Sequence, residues 1–209
     1  MGVYFRREYD NGALIAVWEI TESEEELLGL CSVPNDELEE LQLIRSSSRR
    51  KEKLAVRALL NEIFDGKVYL GHHDNGRPYL QNSLIEVSIS HTSRFVCLLT
   101  HPDESVGKDI ESLNRNFSAV EKRALSPDEI EDLSERDRST HLAIYWSAKE
   151  AVYKRMSRSD VDFAQQIVIK KFNPRDNGEL TALFIDKDGD EQEFELYYEI
   201  FDGHVMAWL

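Results

Sequence analysis

The sequence predicts an α+β protein of two halves, residues 1–103 and 104–209, each a small, mainly antiparallel sheet packed with helices. Helical periodicity and short apolar, β-branched runs occur in both halves, and helices precede strands twice. Gly, Asn and Asp steps separate the strand-like runs at hairpin spacing. Because no low-complexity linker divides the chain, we expect the halves to pack tightly.

The first half opens with a predicted hairpin. Two apolar runs, VYFRREY and ALIAVWEI, flank Asp10-Asn11-Gly12, and an Asn-Gly step between such runs is a strong hairpin signal. Helices are predicted next over 21–30, 34–44 and 46–65. Ser or Thr caps, acids in a first turn and Pro at a helix start mark where these helices begin.

The middle of the chain is predicted to be loop and then sheet. Residues 71–78, GHHDNGRP, are predicted to form a loop because Gly and Pro punctuate them. Short runs at 84–90, 94–100 and 104–111 have tight joins, which predicts a three-stranded sheet. A long helix is predicted over 138–157, and a second meander of strands follows it to the C-terminal end.

Charge and composition exclude several classes of function. The 40 acidic and 25 basic residues give a net charge of −15. That charge argues against nucleic acid and against an anionic membrane as partners. No export signal and no membrane-spanning apolar run are visible, so we expect a cytoplasmic protein. Cys31 and Cys97 lack metal-site or disulfide spacing and are expected to be small buried side chains.

One basic segment stands out against this acidity. Residues 45–57, RSSSRRKEKLAVR, carry six cations and one acid, Glu52. The segment has two interpretations, a solvated start of a helix or a site for a ligand that bears phosphate. The composition alone does not choose between them.

The stretch ESVGKDIES contains a pair of carboxylates. Side chains alternate along a strand, so Asp109 and Glu111 fall on one face, about 7 Å apart, and Lys108 falls on the other face, towards the core. Two carboxylates at that distance repel by about 2 kcal/mol at an effective dielectric of 20. Mg²⁺ prefers such oxygen ligands and would relieve the repulsion. The alternative is an acidic strand end that faces solvent.

Residues 146–154, WSAKEAVYK, offer a third carboxylate. A helical projection places five side chains in one sector: Trp146, Lys149, Glu150, Tyr153 and Lys154. Glu150 beside the Asp-x-Glu pair, with Lys154 one turn on, would suit a magnesium-phosphate site. The alternative is an ordinary Glu-Lys pair on a solvated helix face.

A hydroxyl and an imidazole follow an apolar strand in SISHTS. Ser90 and His91 come at the end of that strand, before a tight turn, and both can donate to a phosphate. The alternative for His91 is a turn residue whose hydrogen bonds are already satisfied.

Taken in order, these motifs resemble the 4′-phosphopantetheinyl transferase superfamily. The matching stretches are GRPYL, SISHT, VGKDIE and WSAKEAVYK, with LAVRALL upstream, all within residues 45–155. Length and the two-halves layout resemble the surfactin-synthetase-activating type, a pseudo-dimer in one chain. The resemblance therefore implies two similar halves in a pseudo-twofold arrangement, and a monomer.

The resemblance also implies an activity and its residues. Phosphopantetheine would pass from coenzyme A to a serine of an apo acyl or peptidyl carrier protein, with release of 3′,5′-ADP. Mg²⁺ would bind Asp109, Glu111 and Glu150. Catalysis would fall to Glu150 as the base, to Lys154 and to His91. The coenzyme A phosphates would be bound by six side chains: Arg50, Arg57, Arg77, Ser90, His91 and Lys154.

Three alternatives remain open at this point. A non-catalytic relative would bind coenzyme A without transfer, and Lys108, where the family usually has an apolar residue, is the sequence feature that supports it. A Mg²⁺-dependent phosphohydrolase would release phosphate without a carrier. A structural acidic adaptor would bind neither metal nor nucleotide.

Overall fold

Antiparallel sheets and helices make up the computed structural model, which describes residues 2–31, 33–66 and 68–209. These elements confirm the predicted α+β class. The chain divides into two compact units, Met1–Ser105 and Val106–Leu209. None of the helices in the described ranges combines the length and the apolar character that a membrane span needs.

The first unit contains a four-stranded sheet, three helices and a short hairpin. Its elements, in chain order, are β1 (Val3–Glu8), β2 (Leu14–Glu19), α1 (Glu24–Leu30), α2 (Asn35–Leu43), α3 (Ser47–Phe64), β3 (Leu70–His72), β4 (Pro78–Leu80), β5 (Glu86–His91) and β6 (Phe95–His101). The sheet has the order β1-β2-β6-β5, and β3 pairs with β4. The predicted N-terminal hairpin and the first three helices are confirmed, with ends that shift by no more than three residues.

Capping and burial explain these helices. Ser23 and Glu26 form a capping box at the start of α1, and the Ser46 side chain accepts from the Arg49 N–H at the start of α3. Leu27 of α1 and Leu59 of α3 lie in a core cluster with Leu98 of β6. The apolar positions of α3 thus recur at helical spacing because one face of the helix packs on the sheet.

Two predictions for this region are wrong. Residues 71–78 are not all loop, because β3 and β4 pair across them. Gly71 lies opposite Tyr79, and a Cβ on Gly71 would come within 2.5 Å of the Tyr79 ring. The glycine is therefore needed because the ring packs against it, and it does not mark a turn. The three predicted strands of 84–111 do not form one sheet either. The first two, β5 and β6, join β1 and β2, and the third belongs to the second unit.

The second unit is a five-stranded antiparallel sheet with helices. Its elements are β7 (Lys108–Ser112), α4 (Ser118–Ala124), α5 (Pro127–Glu131), α6 (Arg138–Met156), α7 (Phe163–Gln166), β8 (Ile167–Ile169), β9 (Asn177–Ile185), β10 (Glu191–Phe201) and β11 (His204–Trp208). The sheet order is β7-β11-β10-β9-β8. The predicted long helix and the final meander are confirmed, and β7 pairs with the last strand of the chain.

Burial tests two predictions about single residues. Lys108 is fully buried, which confirms that it points away from solvent, as the alternation along β7 predicts. Both cysteines are free thiols; Cys97 is buried and Cys31 is half-buried. The prediction of a small buried side chain is therefore confirmed for Cys97 and only in part for Cys31.

Candidate active site in the second unit

Strand β7 and helix α6 bring the predicted catalytic residues of the second unit together. Asp109 lies on β7 and Lys154 on α6, and Lys154 Nζ donates to Asp109 Oδ1 at 2.8 Å. The Asp109 side chain is 6% exposed, so this ion pair is screened little by solvent. The strand and the helix thus form the two sides of one charged cluster, which also includes Glu111 and Glu150.

Glu111 is held by two groups, of which the sequence indicated neither as its partner. The indole Nε1 of Trp146 donates to Glu111 Oε1 at 2.8 Å, and Arg115 forms an ion pair with the same oxygen. Arg115 also lies over the ring of Trp146, 5.7 Å from its centroid. Arg115 comes four residues after Glu111, a spacing that would indicate an ion pair within a helix. Here β7 ends between the two residues, so this spacing did not predict the contact.

The carboxylates of this cluster disfavour one another's ionised forms. Burial, and after it the charge of Asp109, raises the pKa of Glu150 to about 7, although Lys154 opposes the shift. Burial also raises the pKa of Glu111, and Asp109 again adds to the shift. Glu150 is therefore a carboxyl group that can exchange a proton near neutral pH, which a general base requires.

The donor atoms of this cluster fit Mg²⁺ in chemical type. Asp109, Glu111 and Glu150 supply carboxylate oxygens, and a hard cation would relieve the repulsion that raises two of their pKa values. Within the described part of the chain, no three His, Cys, Asp or Glu residues are already arranged as a metal site. Lys154 contacts one oxygen of Asp109 and Arg115 one oxygen of Glu111, so a cation bound there would use the second oxygens or displace these contacts.

Gly107 sets the distance between the strand and the helix. A Cβ at Gly107 would lie 1.9 Å from the Ala151 carbonyl oxygen and 2.8 Å from the Arg155 amide nitrogen. Both atoms belong to the backbone of α6, one residue beyond Glu150 and Lys154 respectively. The close approach of β7 to α6 therefore depends on the absence of a side chain at this position.

The two lysines of WSAKEAVYK have different environments. Lys154 lies in the charged cluster, whereas Lys149 is fully buried and donates to Glu129 at 2.7 Å and to the Phe163 carbonyl at 2.8 Å. The helical projection placed both lysines in one sector, and Lys149 does contact Phe163, on which Trp146 and Tyr153 of that sector pack, but its ionic partner is not in the charged cluster. A sector of a helical wheel does not show which neighbouring element each side chain meets.

The remaining predicted ligands of coenzyme A lie in the first unit, two of them on α3. Arg50 donates to both carboxylate oxygens of Glu24, at 2.8 and 2.9 Å, and so joins α3 to α1. Arg57 contacts both carboxylate oxygens of Glu37 on α2, at 2.7 and 2.6 Å. Both guanidinium groups therefore bind carboxylates within their own unit.

Arg77, Ser90 and His91 complete the predicted set. Arg77 pairs with Glu86 and lies 3.3 Å from Ser105 Oγ, beside a cavity of about 260 Å³. Ser90 is buried on β5. His91 Nδ1 lies 3.3 Å from a carboxylate oxygen of Glu52. Every cationic side chain predicted to contact coenzyme A thus has a carboxylate neighbour in this structure.

A Glu150→Gln variant is expected to unfold at higher urea concentration than the wild-type protein at neutral pH without metal. The Glu150 pKa of about 7 exceeds its ordinary value of 4.5, so ionisation costs about 3 kcal/mol at pH 7. Below pH 4.5 this cost vanishes, and it grows as the pH rises to about 7. Urea unfolding in EDTA at pH 4.5 and pH 8 measures the difference.

The control for this variant is Glu195→Gln, which changes an exposed carboxylate on β10. It should leave the stability within about 0.5 kcal/mol at both pH values. An equal gain from Glu150→Gln at pH 4.5 and pH 8 would contradict the interpretation, because only the ionised form of Glu150 carries the cost.

Comparison with known proteins identifies a family for this region. A family model described as the 4′-phosphopantetheinyl transferase superfamily matches residues 105–209. The matched range contains the three carboxylates, Lys154 and Gly107. A search of curated proteins found no match to the chain.

Proposed function

The chain belongs to the 4′-phosphopantetheinyl transferase superfamily, and from this premise we propose that it transfers the phosphopantetheine group of coenzyme A to a carrier protein. The acceptor is a serine hydroxyl of an apo acyl or peptidyl carrier protein, and the reaction depends on Mg²⁺. We also propose the surfactin-synthetase-activating type, which the division of the chain into two compact units supports. The pseudo-twofold arrangement, the monomeric state and the cytoplasmic location stay predictions.

The proposed reaction is a displacement at phosphorus. The serine oxygen forms a bond to the β-phosphorus of coenzyme A, and the bond from that phosphorus to the oxygen bridging to the α-phosphate breaks. The electron pair of this bond leaves with 3′,5′-ADP, and Glu150 takes the proton of the serine. The observation that carries this assignment is the pKa of about 7 of Glu150, within the matched region and beside Asp109 and Glu111.

The other residues of the charged cluster position groups and balance charge. Asp109, Glu111 and Glu150 would hold Mg²⁺, which when bound supplies positive charge to the pyrophosphate. Lys154 forms an ion pair with Asp109 in this structure. We propose that its ammonium group moves to the α-phosphate and neutralises the charge of the leaving group. Exchange of one anionic partner for another keeps Lys154 paired throughout.

The first unit would supply the remaining phosphate contacts. We assign Ser90 and His91 to the phosphates, and Arg57 and Arg77, with Arg50, to the 3′-phosphate. Since Arg57 already has Glu37 as a bidentate partner, the phosphate must replace that carboxylate. Such an exchange at several cations makes coenzyme A binding dependent on salt, because each exchanged pair is partly exposed.

The deciding experiment is the intact mass of an apo carrier protein after incubation with this chain, coenzyme A and Mg²⁺. We expect a gain of one phosphopantetheine with the wild-type chain and with Glu195→Gln, and a loss of at least about 100-fold in rate with Glu150→Gln. Such a result would establish the transfer and the role of Glu150.

Other outcomes identify the alternatives. If several unrelated carriers gain no mass while coenzyme A still raises the melting temperature, the protein is a non-catalytic relative, and Lys108 becomes the residue to test. Phosphate release without a carrier would indicate a phosphohydrolase. If neither mass nor melting temperature changes, the chain does not use coenzyme A.

A further inference from the structure

The one acid of the basic segment 45–57 is a neighbour of the predicted phosphate ligand His91. Glu52 lies on α3 and His91 ends β5, and Glu52 Oε2 is 3.3 Å from His91 Nδ1. The Glu52 side chain is 12% exposed, whereas that of His91 is 43% exposed. The carboxylate therefore lies beneath an imidazole that is itself accessible to a ligand.

The second oxygen of Glu52 is also in use. Ser48 Oγ donates to Glu52 Oε1 at 2.9 Å, from one turn earlier on α3. With one oxygen at Ser48 and the other at His91, the carboxylate is fixed in a single orientation. Burying a carboxylate costs free energy unless hydrogen bonds or ion pairs compensate for the lost water. The contacts with Ser48 and His91 provide this compensation for Glu52, the one acid among the six cations of the segment.

We propose that Glu52 is a positioning residue for coenzyme A: it holds the Nδ1 side of His91 and thereby directs Nε2 towards a phosphate of the ligand. This inference deepens the proposed function and rests on it. An imidazole between a carboxylate and a phosphate donates from both nitrogens, so it is doubly protonated in the complex. Glu52 acts through His91 and has no contact with the reacting atoms.

Titration calorimetry with coenzyme A tests the proposal without a carrier protein. Glu52→Gln keeps the shape of the side chain and an oxygen for Ser48, but removes the charge that holds His91. We expect the Kd for coenzyme A to rise about tenfold, the size of one charge-assisted contact. In transfer assays the KM for coenzyme A should rise by a similar factor, because the contact is made when coenzyme A binds.

The dependence on His91 separates positioning from general structure. In a His91→Ala background, Glu52→Gln should cause no further increase in the Kd, since the group that it positions is gone. Glu52→Asp, which keeps the charge, should recover part of the affinity. Glu62→Gln, an exposed carboxylate on the same helix, is the matched control and should bind as the wild type does.

The ring nitrogens of His91 provide a second readout. Two-dimensional ¹H–¹⁵N spectra of the imidazole should show both nitrogens protonated in the coenzyme A complex, and a changed pattern in Glu52→Gln. An unchanged Kd and an unchanged His91 spectrum in Glu52→Gln would overturn the proposal while leaving the proposed function intact. If the wild-type chain itself does not bind coenzyme A, both fail, and the wild-type titration shows this before any variant is made.

Discussion

A Gly107→Ala variant is expected to lose most of its activity and a large part of its stability. The added Cβ would lie 1.9 Å from the Ala151 carbonyl oxygen and 2.9 Å from its carbonyl carbon. These atoms belong to the helix backbone and cannot move as a flexible side chain could. Overpacking of this kind costs about 1–3 kcal/mol or more, and a clash with backbone falls at the upper end.

The strand cannot easily yield instead of the helix. Gly107 exchanges backbone hydrogen bonds with Leu209, at 3.2 and 3.0 Å, which hold it beside the last residue of the chain. The helix must therefore move away from β7, and it carries Glu150 and Lys154 with it. Because displacement of catalytic groups by about 1 Å can cost 100-fold in rate, we expect a loss of at least that size.

Urea unfolding and the carrier-mass assay measure the two effects of Gly107→Ala. Gly29→Ala is the matched control, because a Cβ there would meet no atom within 4 Å and the residue lies in helix α1. This control should be neutral or slightly stabilising. Wild-type stability and activity in Gly107→Ala would show that the spacing of β7 and α6 does not depend on the glycine.

Local periodicity explains which parts of the active site could be predicted from the sequence. Alternation along β7 placed Asp109 and Glu111 together and turned Lys108 inwards, because a strand repeats every two residues whatever its partner. The helix 138–157 was also predicted, although α6 is buried on most sides and no single apolar face marks it. Alternation along β7, with the order of the motifs, was sufficient to select the carboxylates that lie in the charged cluster.

Contacts between distant residues could not be predicted in this way. The third run of 84–111 reads as the next strand of the same sheet, yet β7 pairs with β11, almost a hundred residues later. The carboxylate partners of the cations are similarly remote, as in Glu37 with Arg57 and Asp109 with Lys154. Nothing in a single sequence states which of many acids lies beside a given cation.

Replacement of Lys149 by Met is expected to destabilise the second unit by about 3–5 kcal/mol. Lys149 is the cation of a buried ion pair, with side chains 0% and 2% exposed for Lys149 and Glu129. The Glu129 carboxylate also accepts the Ser126 and Ile169 backbone N–H groups, and Lys149 donates to the Phe163 carbonyl. The pair thus joins α5, α6, α7 and β8. Without Lys149, a buried negative charge is left uncompensated.

Two further variants show whether this charge is the cause. Glu129→Gln combined with Lys149→Met removes the uncompensated charge, so the double variant should be more stable than Lys149→Met alone by about 1–3 kcal/mol.

Lys170→Met breaks an ion pair with Glu193 of the same length, 2.7 Å, but with side chains 51% and 56% exposed. It should change the free energy of unfolding by less than about 1 kcal/mol. If Lys149→Met cost no more than Lys170→Met in urea unfolding, burial would not be what makes the Lys149–Glu129 pair important. A large loss from Lys149→Met alone, partly recovered in the double variant, would instead show that this lysine stabilises the helix that carries Glu150 by compensating the buried charge of Glu129.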